Sequence, residues 1–467
     1  MAEFDPGSFR DPNSRVVLRG SKVYRLLGPQ ALDDWNAFSA SELFKRELEL
    51  GRIVDTKEID IGAVLEEPNP SWVAALEHAR LPFLSYPYEW CFSMLRDAAL
   101  LQLDLLSQAL DEDLILKDAS PFNIQFRDFR PTFIDIGSFQ RLAANQIWEA
   151  YGQFCQLFLF PLLLQAHKDV PFQPWLAARL DGIPALEMDN LMSWRDLARP
   201  GVFAHVYLQA RLRKRYQRLD SDLESSVRAG RFDKRLIQAN VQRLGKLVRK
   251  LDWSPPASEW SDYANENSYP EQDREAKRRF VRESLGDRRR ELVWDLGCNT
   301  GEYSFIAAEN SDLVVAFDAD YLAIERFYRQ LRRQNRGSIL PLVMNLAQPS
   351  PPLGWRHQER AGLEQRPKPD MTLALALVHH LALSANVPLG EFVSFAAALG
   401  GELLVEFPTR EDAMVKRLLG RKTEHHPDYS RDSFERELGR HFFVRKTLDL
   451  LGGHRRLYHA VPKATPS

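Results

Sequence analysis

The sequence predicts a two-part chain: a mixed α+β region over about residues 1–255, then an α/β domain over about residues 256–467 whose mostly parallel sheet carries helices on both faces. Three observations lead there. With 467 residues, 44% of them hydrophobic, the chain can bury more than one core. Between the two parts, "DWSPPASEWSDYANENSYPEQ" (residues 252–272) loses all apolar periodicity to proline, serine and asparagine, as a linker or domain entry does. Beyond it, apolar runs such as "ELVWDLG", "LVVAFDAD", "ILPLVMN", "DMTLALALVHH" and "GELLVEFP" alternate with helical runs such as "YLAIERFYRQLRRQ", the pattern of strands joined by crossover helices.

In the first region, "RVVLRGSKVYRLL" (15–27) alternates about Gly20-Ser21 as a hairpin does, and "ASELFKRELELGRIV" has helical spacing ending at a glycine. "LPFLSYPYEW" reads as a strand-like run broken by prolines, and "SMLRDAALLQLDLLSQALDEDL" as a long amphipathic helix. From Tyr151 to Lys250 the sequence reads as helices, with the basic run "QARLRKRYQRL" as a solvated face. The longest apolar patch, "FCQLFLFPLLLQA", is too short to cross a bilayer and contains Pro161, so a buried helix and no membrane span are expected.

Lys and Arg number 62 against 64 Asp and Glu, a formal charge of −2 that argues against a nucleic-acid partner. Cys91, Cys155 and Cys298 form no CxxC pair and are too few for a disulfide framework. With an N-terminus that lacks an apolar signal core, this points to the cytoplasm.

The chemistry concentrates first in "VWDLGCNTGEYS", Val293 to Ser304, a strand, glycine turn and helix start. Gly297 and Gly301 leave room for backbone to approach a ligand. Seventeen residues after Gly301 the strand "LVVAF" ends at Asp318, where a carboxylate can accept both hydroxyls of a ribose. The turn lacks the GxGxxG spacing of dinucleotide folds and has Asp295 just before its first glycine. It resembles motif I of class I S-adenosylmethionine-dependent methyltransferases over roughly Trp260 to Lys463, with Asn299 in place of the middle glycine. The resemblance implies S-adenosylmethionine as cofactor, with Asp295 and the turn backbone near its methionine part and Asp318 at its ribose. It places the end of the third strand at the adenine, where Asn345 replaces the usual Asp. "LALALVHHLALSANVPL" and "GELLVEFPTREDAMVKRLL" further resemble a bacterial group of methyltransferase-like proteins related to the nodulation host-specificity protein NoeA.

The second concentration is "LILKDASPFNIQFRDFRPTFIDIGSF". "DASPFN" resembles the catalytic loop of protein kinases and aminoglycoside phosphotransferases at Asp118, Pro121 and Asn123, and "FIDIGSF" resembles their metal-binding segment at Asp135. That resemblance implies a kinase-like first region and, where chemistry survives, ATP with magnesium held by Asn123 and Asp135. No glycine-rich loop is visible, and neither Lys22 nor Lys45 is assigned to phosphate. Three readings stay open: a braced turn, a binding module for the methyltransferase, and an active phosphotransferase.

Methyl transfer needs alignment, plus a base where the nucleophile must lose a proton. His379 and His380 follow the fourth strand of the second region and are the candidate bases; Glu406, at the end of the fifth, is a candidate to orient an acceptor, or else an ion-pair partner for an arginine such as Arg410. Trp260 and Tyr263 are placed to cover a cofactor or to pack. His425 and His426 beside Glu424 read as a solvated loop rather than a metal site. The expected acceptor is a small molecule or glycan precursor. The competing readings are a bifunctional kinase and methyltransferase, and a non-catalytic ligand-binding scaffold.

Overall fold

The computed structural model describes residues 3–65, 67, 69–216, 233–253, 270–420 and 426–463. Two compact units emerge: Met1–Pro255 with Pro352–Arg360, and Pro256–Pro351 with Ala361–Ser467. The segment Pro352–Arg360, which the sequence places in the second region, groups with the first unit, where the buried Glu359 carboxylate accepts from Arg10 at 3.0 and 2.7 Å.

Among its described residues the first unit opens with a five-stranded antiparallel sheet, β1 (Glu3–Phe4), β2 (Ser14–Arg19), β3 (Lys22–Leu27), β4 (Thr56–Ile59) and β5 (Ala74–His78), in the order β1-β2-β3-β5-β4. Arg19 faces Lys22 across the turn, and Gly20 takes the left-handed conformation such a tight reversal needs. The run expected as a strand at Leu81–Trp90 is not one. Its prolines cannot donate to a ladder, and Pro87–Glu89 instead forms a short 3₁₀ turn closed by Tyr86 N–H to the Glu89 carboxylate at 2.9 Å. Helix α1 (Phe92–Asp111) follows, most of its apolar residues buried.

Two small antiparallel pairs come next: β6 (Leu114–Leu116) with β9 (Phe139–Arg141), and β7 (Ile124–Arg127) with β8 (Arg130–Phe133). The longest apolar patch is a buried helical run whose first turn is a π segment, Cys155–Leu159, leading into Phe160–Lys168. Among the described residues no helix is long and apolar enough to cross a membrane.

Among its described residues the second unit builds one seven-stranded sheet. Its strands are β10 (Arg290–Leu296), β11 (Ser311–Asp318), β12 (Ile339–Val343), β13 (Met371–Ala374), β14 (Glu402–Pro408), β15 (Phe442–Leu450) and β16 (Arg455–Pro462), in the order β12-β11-β10-β13-β14-β16-β15. The first five are parallel; β16 and β15 form an antiparallel hairpin at the β14 edge, with a register shift in β15 between Val444 and Lys446. The order reverses between β10 and β13, so the loops leaving their carboxyl ends part there and open a crevice. Asp295 pairs with Leu373, Leu373 with Leu404, and Glu406 with Leu457. Because side chains alternate along strands, Asp295, Glu406 and Arg455 share one face of the sheet. Helices α2 (Glu271–Leu285) and α3 (Glu302–Ala307) supply partners to that face.

Candidate functional site

At the reversal point the chain leaves β10 through a turn held by backbone. Gly297 and Cys298 N–H both donate to Phe317 O, at 2.8 and 3.0 Å, and Gly301 N–H donates to Cys298 O at 2.9 Å. Gly297, Asn299 and Gly301 all have positive φ, near 77°, 49° and 87°. Asparagine tolerates that region better than most residues, which explains how Asn299 stands where a glycine is usual.

Asp318, at the carboxyl end of β11, grips this turn. One oxygen accepts from Asn299 N–H at 2.8 Å and the other from Asp320 N–H at 2.9 Å. The neighbouring helix α4 (Tyr321–Gln334) is capped by Asp320, which accepts from Leu322 and Ala323 N–H. Asp318 is therefore not the helix cap. Asp295 lies buried behind the turn and accepts from Ser304 Oγ at 2.5 Å. Burial pushes both carboxyls up to about 6, with the two charges near enough for Asp318 to raise Asp295 further. Since both hold protons more tightly folded than at the ordinary 3.8, the stability they contribute is present at low pH and is lost as pH rises from about 4 to 6.

Asn345 lies just past β12, exposed, its side-chain oxygen accepting from Ala347 N–H at 3.0 Å. Beside the turn is an apolar cavity of about 60 Å³ lined by Leu296, Leu346, Leu377, Leu381 and Phe392, with Glu391 among the lining groups.

After β13 the chain enters a π segment, His380–Ser384. The His379 and His380 rings lie 4.1 Å apart, tilted by 39°. His379 is wholly buried, and among the described residues neither ring nitrogen has a hydrogen-bond partner. Burial holds it uncharged, well below the usual histidine range; His380, half-buried, is pushed down to about 4, by burial first and then by Arg455.

Glu406 departs from its expected place. It lies two residues inside β14, wholly buried, with Lys277 Nζ at 2.6 Å on one oxygen and Arg455 at 3.1 Å on the other. Arg455 is in turn gripped by Asp412 at 2.6 and 3.1 Å. This alternating chain of buried charges braces the sheet, and Glu406 is not an exposed strand-end group. Lys277, Arg455, Ser304 and Glu391 carry no local sequence signal beyond the nearness of Ser304 to the turn. Trp260, Tyr263, Glu424 and His425 lie outside the described residues; the His426 carbonyl accepts from Arg410.

In the first unit, the β6/β9 and β7/β8 pairs bring two loops face to face: Lys117 N–H donates to Ser138 O at 2.9 Å and Ile134 N–H to Asn123 O at 2.8 Å. Asp118, Asn123 and Asp135 are thereby gathered. The Asp118 carboxylate, expected on the bland reading to accept backbone amides, accepts none among the described residues; burial and then Asp135 push its pKa up. Asp135 pairs with Arg25 of β3 at 3.1 Å. Among the described residues no group of three or more His, Cys, Asp or Glu is arranged to hold a metal ion. Arg25 takes one oxygen of the Asp135 carboxylate.

Fold and site together define an α/β protein whose site opens at the carboxyl ends of parallel strands, at the point where their order reverses. No protein-family model matches the chain. It is 33% identical over 456 residues to the nodulation protein NoeA of Rhizobium meliloti (strain 1021), a match covering 97% of this chain and 94% of that protein. The chain belongs to the NoeA family. Among solved structures it is similar to the N-methyltransferase NodS of Bradyrhizobium japonicum WM9, 14% identical over 41% of this chain and 97% of that one, with a TM-score of 0.30. It is also similar to the magnesium protoporphyrin IX methyltransferase ChlM of Synechocystis PCC 6803, 18% identical over 41% of this chain and 86% of that one, with a TM-score of 0.30.

Proposed function

We propose that the second unit is an S-adenosylmethionine-dependent methyltransferase acting on oxygen or nitrogen of a small molecule or glycan precursor. The observation that carries this is Asp318, a carboxylate fixed by turn amides at the end of the strand beside the glycine turn. A dinucleotide site is less well supported, because the turn has no GxGxxG spacing and the sheet ends in an antiparallel hairpin rather than a sixth parallel strand. The residues fit the cofactor: positive-φ backbone for close approach, an acceptor for the ribose and an apolar cavity beside them.

When bound, S-adenosylmethionine supplies an electrophilic methyl group on sulfonium. The chain's own part is to align the acceptor and receive its proton. Asp318 is ionised at neutral pH and accepts from the ribose hydroxyls. Cofactor affinity should therefore fall as pH drops through about 6, and Asp318→Ala should weaken binding by roughly 1–3 kcal/mol and flatten that pH dependence. Calorimetry from pH 5 to 8 measures both; unchanged affinity in a folded variant removes Asp318 from the site.

Of the two histidines, His380 is the accessible one and is assigned as base. A base held near 4 takes the proton of an ammonium formed after attack more readily than that of an alcohol before it, which favours nitrogen as acceptor atom. His380→Ala should lower the methyl-transfer rate by roughly 10²–10⁴-fold with cofactor affinity nearly unchanged. A full rate in this variant and in the double variant with His379→Ala would leave alignment alone to carry the step.

For the first unit, the two facing loops support a kinase-like framework that serves substrate or nucleotide binding. Titration with ATP and magnesium separates this from the bifunctional reading. A folded chain that binds neither ATP nor S-adenosylmethionine would favour the scaffold reading.

A further inference from the structure

Pro352–Arg360 comes from beyond β12 in sequence, yet it folds with the first unit. It is a tight hairpin: Leu353 N–H donates to Arg360 O at 3.0 Å, and Arg360 N–H to Leu353 O at 3.1 Å. At its tip Trp355 is exposed, and Arg356 and His357 are held at φ near 55° and 59°, a strained conformation for side chains of their size. Its buried acid, Glu359, is fastened on two sides. The carboxylate accepts from Trp355 N–H at 2.6 Å within the hairpin, and from Arg10 on the loop between β1 and β2 at 3.0 and 2.7 Å. That loop also carries Gly7, where a Cβ would lie 2.9 Å from Glu359 O.

Arg360 then reaches the opposite loop. Its guanidinium carbon is 4.5 Å from the ring centre of Phe122, which lies between Asp118 and Asn123 in the chain. Toward the sheet, Arg360 is the first of the cations that act on the half-buried Asp5 carboxylate. The same two walls meet through Lys117 and Asp11 at 3.4 Å and through Arg25 and Asp135 at 3.1 Å. The hairpin thus joins the two rims of the site that Asp118, Asn123 and Asp135 form. What fastens it is weak: the Arg10 side chain is 67% exposed, so its ion pair adds little, and a carboxylate that leaves it regains water. A closure of that kind opens at low cost, as segments that admit ligands do.

We propose that Pro352–Arg360 is a strap that shuts the ligand site of the first unit, with Arg360 bridging its rims, and that a nucleotide enters when the strap lifts. This is regulation of the site read above as a binding framework, and it rests on that reading.

The test is titration of the full chain with ATP and magnesium, with hydrogen exchange of residues 353–360 followed on the same samples. Arg10→Ala removes the latch, Gly7→Val pushes against Glu359 O, and Arg360→Ala removes the bridge, while Asp118, Asn123 and Asp135 stay in place. A hairpin this short, freed of its support, should lose protection at the Glu359 and Arg360 amides. Each variant should also bind ATP roughly three- to tenfold more tightly than the parent, which is competent for binding only while the strap is lifted. ATP bound to the parent should speed the same exchange. Faster exchange in the variants without tighter binding than a binding parent overturns the strap and leaves the binding framework standing. Weaker binding in the variants makes the hairpin part of the site and overturns it too, as does exchange that neither the substitutions nor bound ATP alter. If neither the parent nor any folded variant binds ATP, the nucleotide reading fails and the strap with it; S-adenosylhomocysteine titrated into the same samples tests the second unit separately.

Discussion

Gly301→Ala is expected to destabilise the second unit by roughly 3–5 kcal/mol, combining backbone strain with overpacking. A Cβ at this position would lie 2.0 Å from Cζ of Phe327, and φ is near 87°. Phe327 cannot retreat, because it is wholly buried and packs edge-on against Phe305 with ring centroids 5.4 Å apart. Gly297→Ala makes the useful contrast: its Cβ would meet the Leu377 side chain no nearer than 3.3 Å, at Cδ1, so strain at φ near 77° is the main cost, roughly 1–2 kcal/mol. Hydrogen exchange in β10 and β11, read with denaturant unfolding, measures both. A loss under about 1 kcal/mol at Gly301 would mean that the helix shifts freely from the turn.

Glu406→Ala should cost a similar 3–5 kcal/mol, because it removes the buried carboxylate that Lys277 and Arg455 share, at 2.6 and 3.1 Å. A group that only oriented an acceptor would lower the rate and leave stability intact, so thermal unfolding beside activity separates the two roles. Pairing Glu406→Leu with Lys277→Met should recover part of the loss, since Arg455 keeps Asp412 at 2.6 Å. Equal stability of Glu406→Ala and the parent would show that the buried chain has other means of compensation.

The regular parts of this molecule were legible where a local pattern reports a local structure. Alternation about Gly20 marks the hairpin, three-and-four spacing marks the long helix, and apolar runs separated by helices mark the parallel strands. At Leu81–Trp90 aromatic and apolar content suggested a strand, but the prolines and the Glu89 carboxylate closed a turn. The hairpin of β15 and β16 went unread because its outer strand faces solvent along most of its length and has no apolar alternation to find. The site divided in the same way. Gly297, Asn299, Gly301 and Asp318 lie within a strand-turn-helix unit and its neighbouring strand, and they come together in the turn. The partners of Glu406 stand 129 and 49 residues away, so only the register of the sheet reveals them, whereas sequence alone suggested nearby Arg410.

The two ends of the seven-stranded sheet meet different problems. β12 is buried along nearly its whole length, but β15 presents an open row of N–H and C=O groups, with Phe443 and Val444 exposed beside them. Such an edge is a template on which another chain can polymerise. Here the register shift falls between Val444 and Lys446, next to Arg445, and Lys446 is engaged by Glu283. An incoming strand would lose its ladder at the bulge and meet two cations there, so this border discourages self-assembly into fibrils at the point where the fold is most open to it.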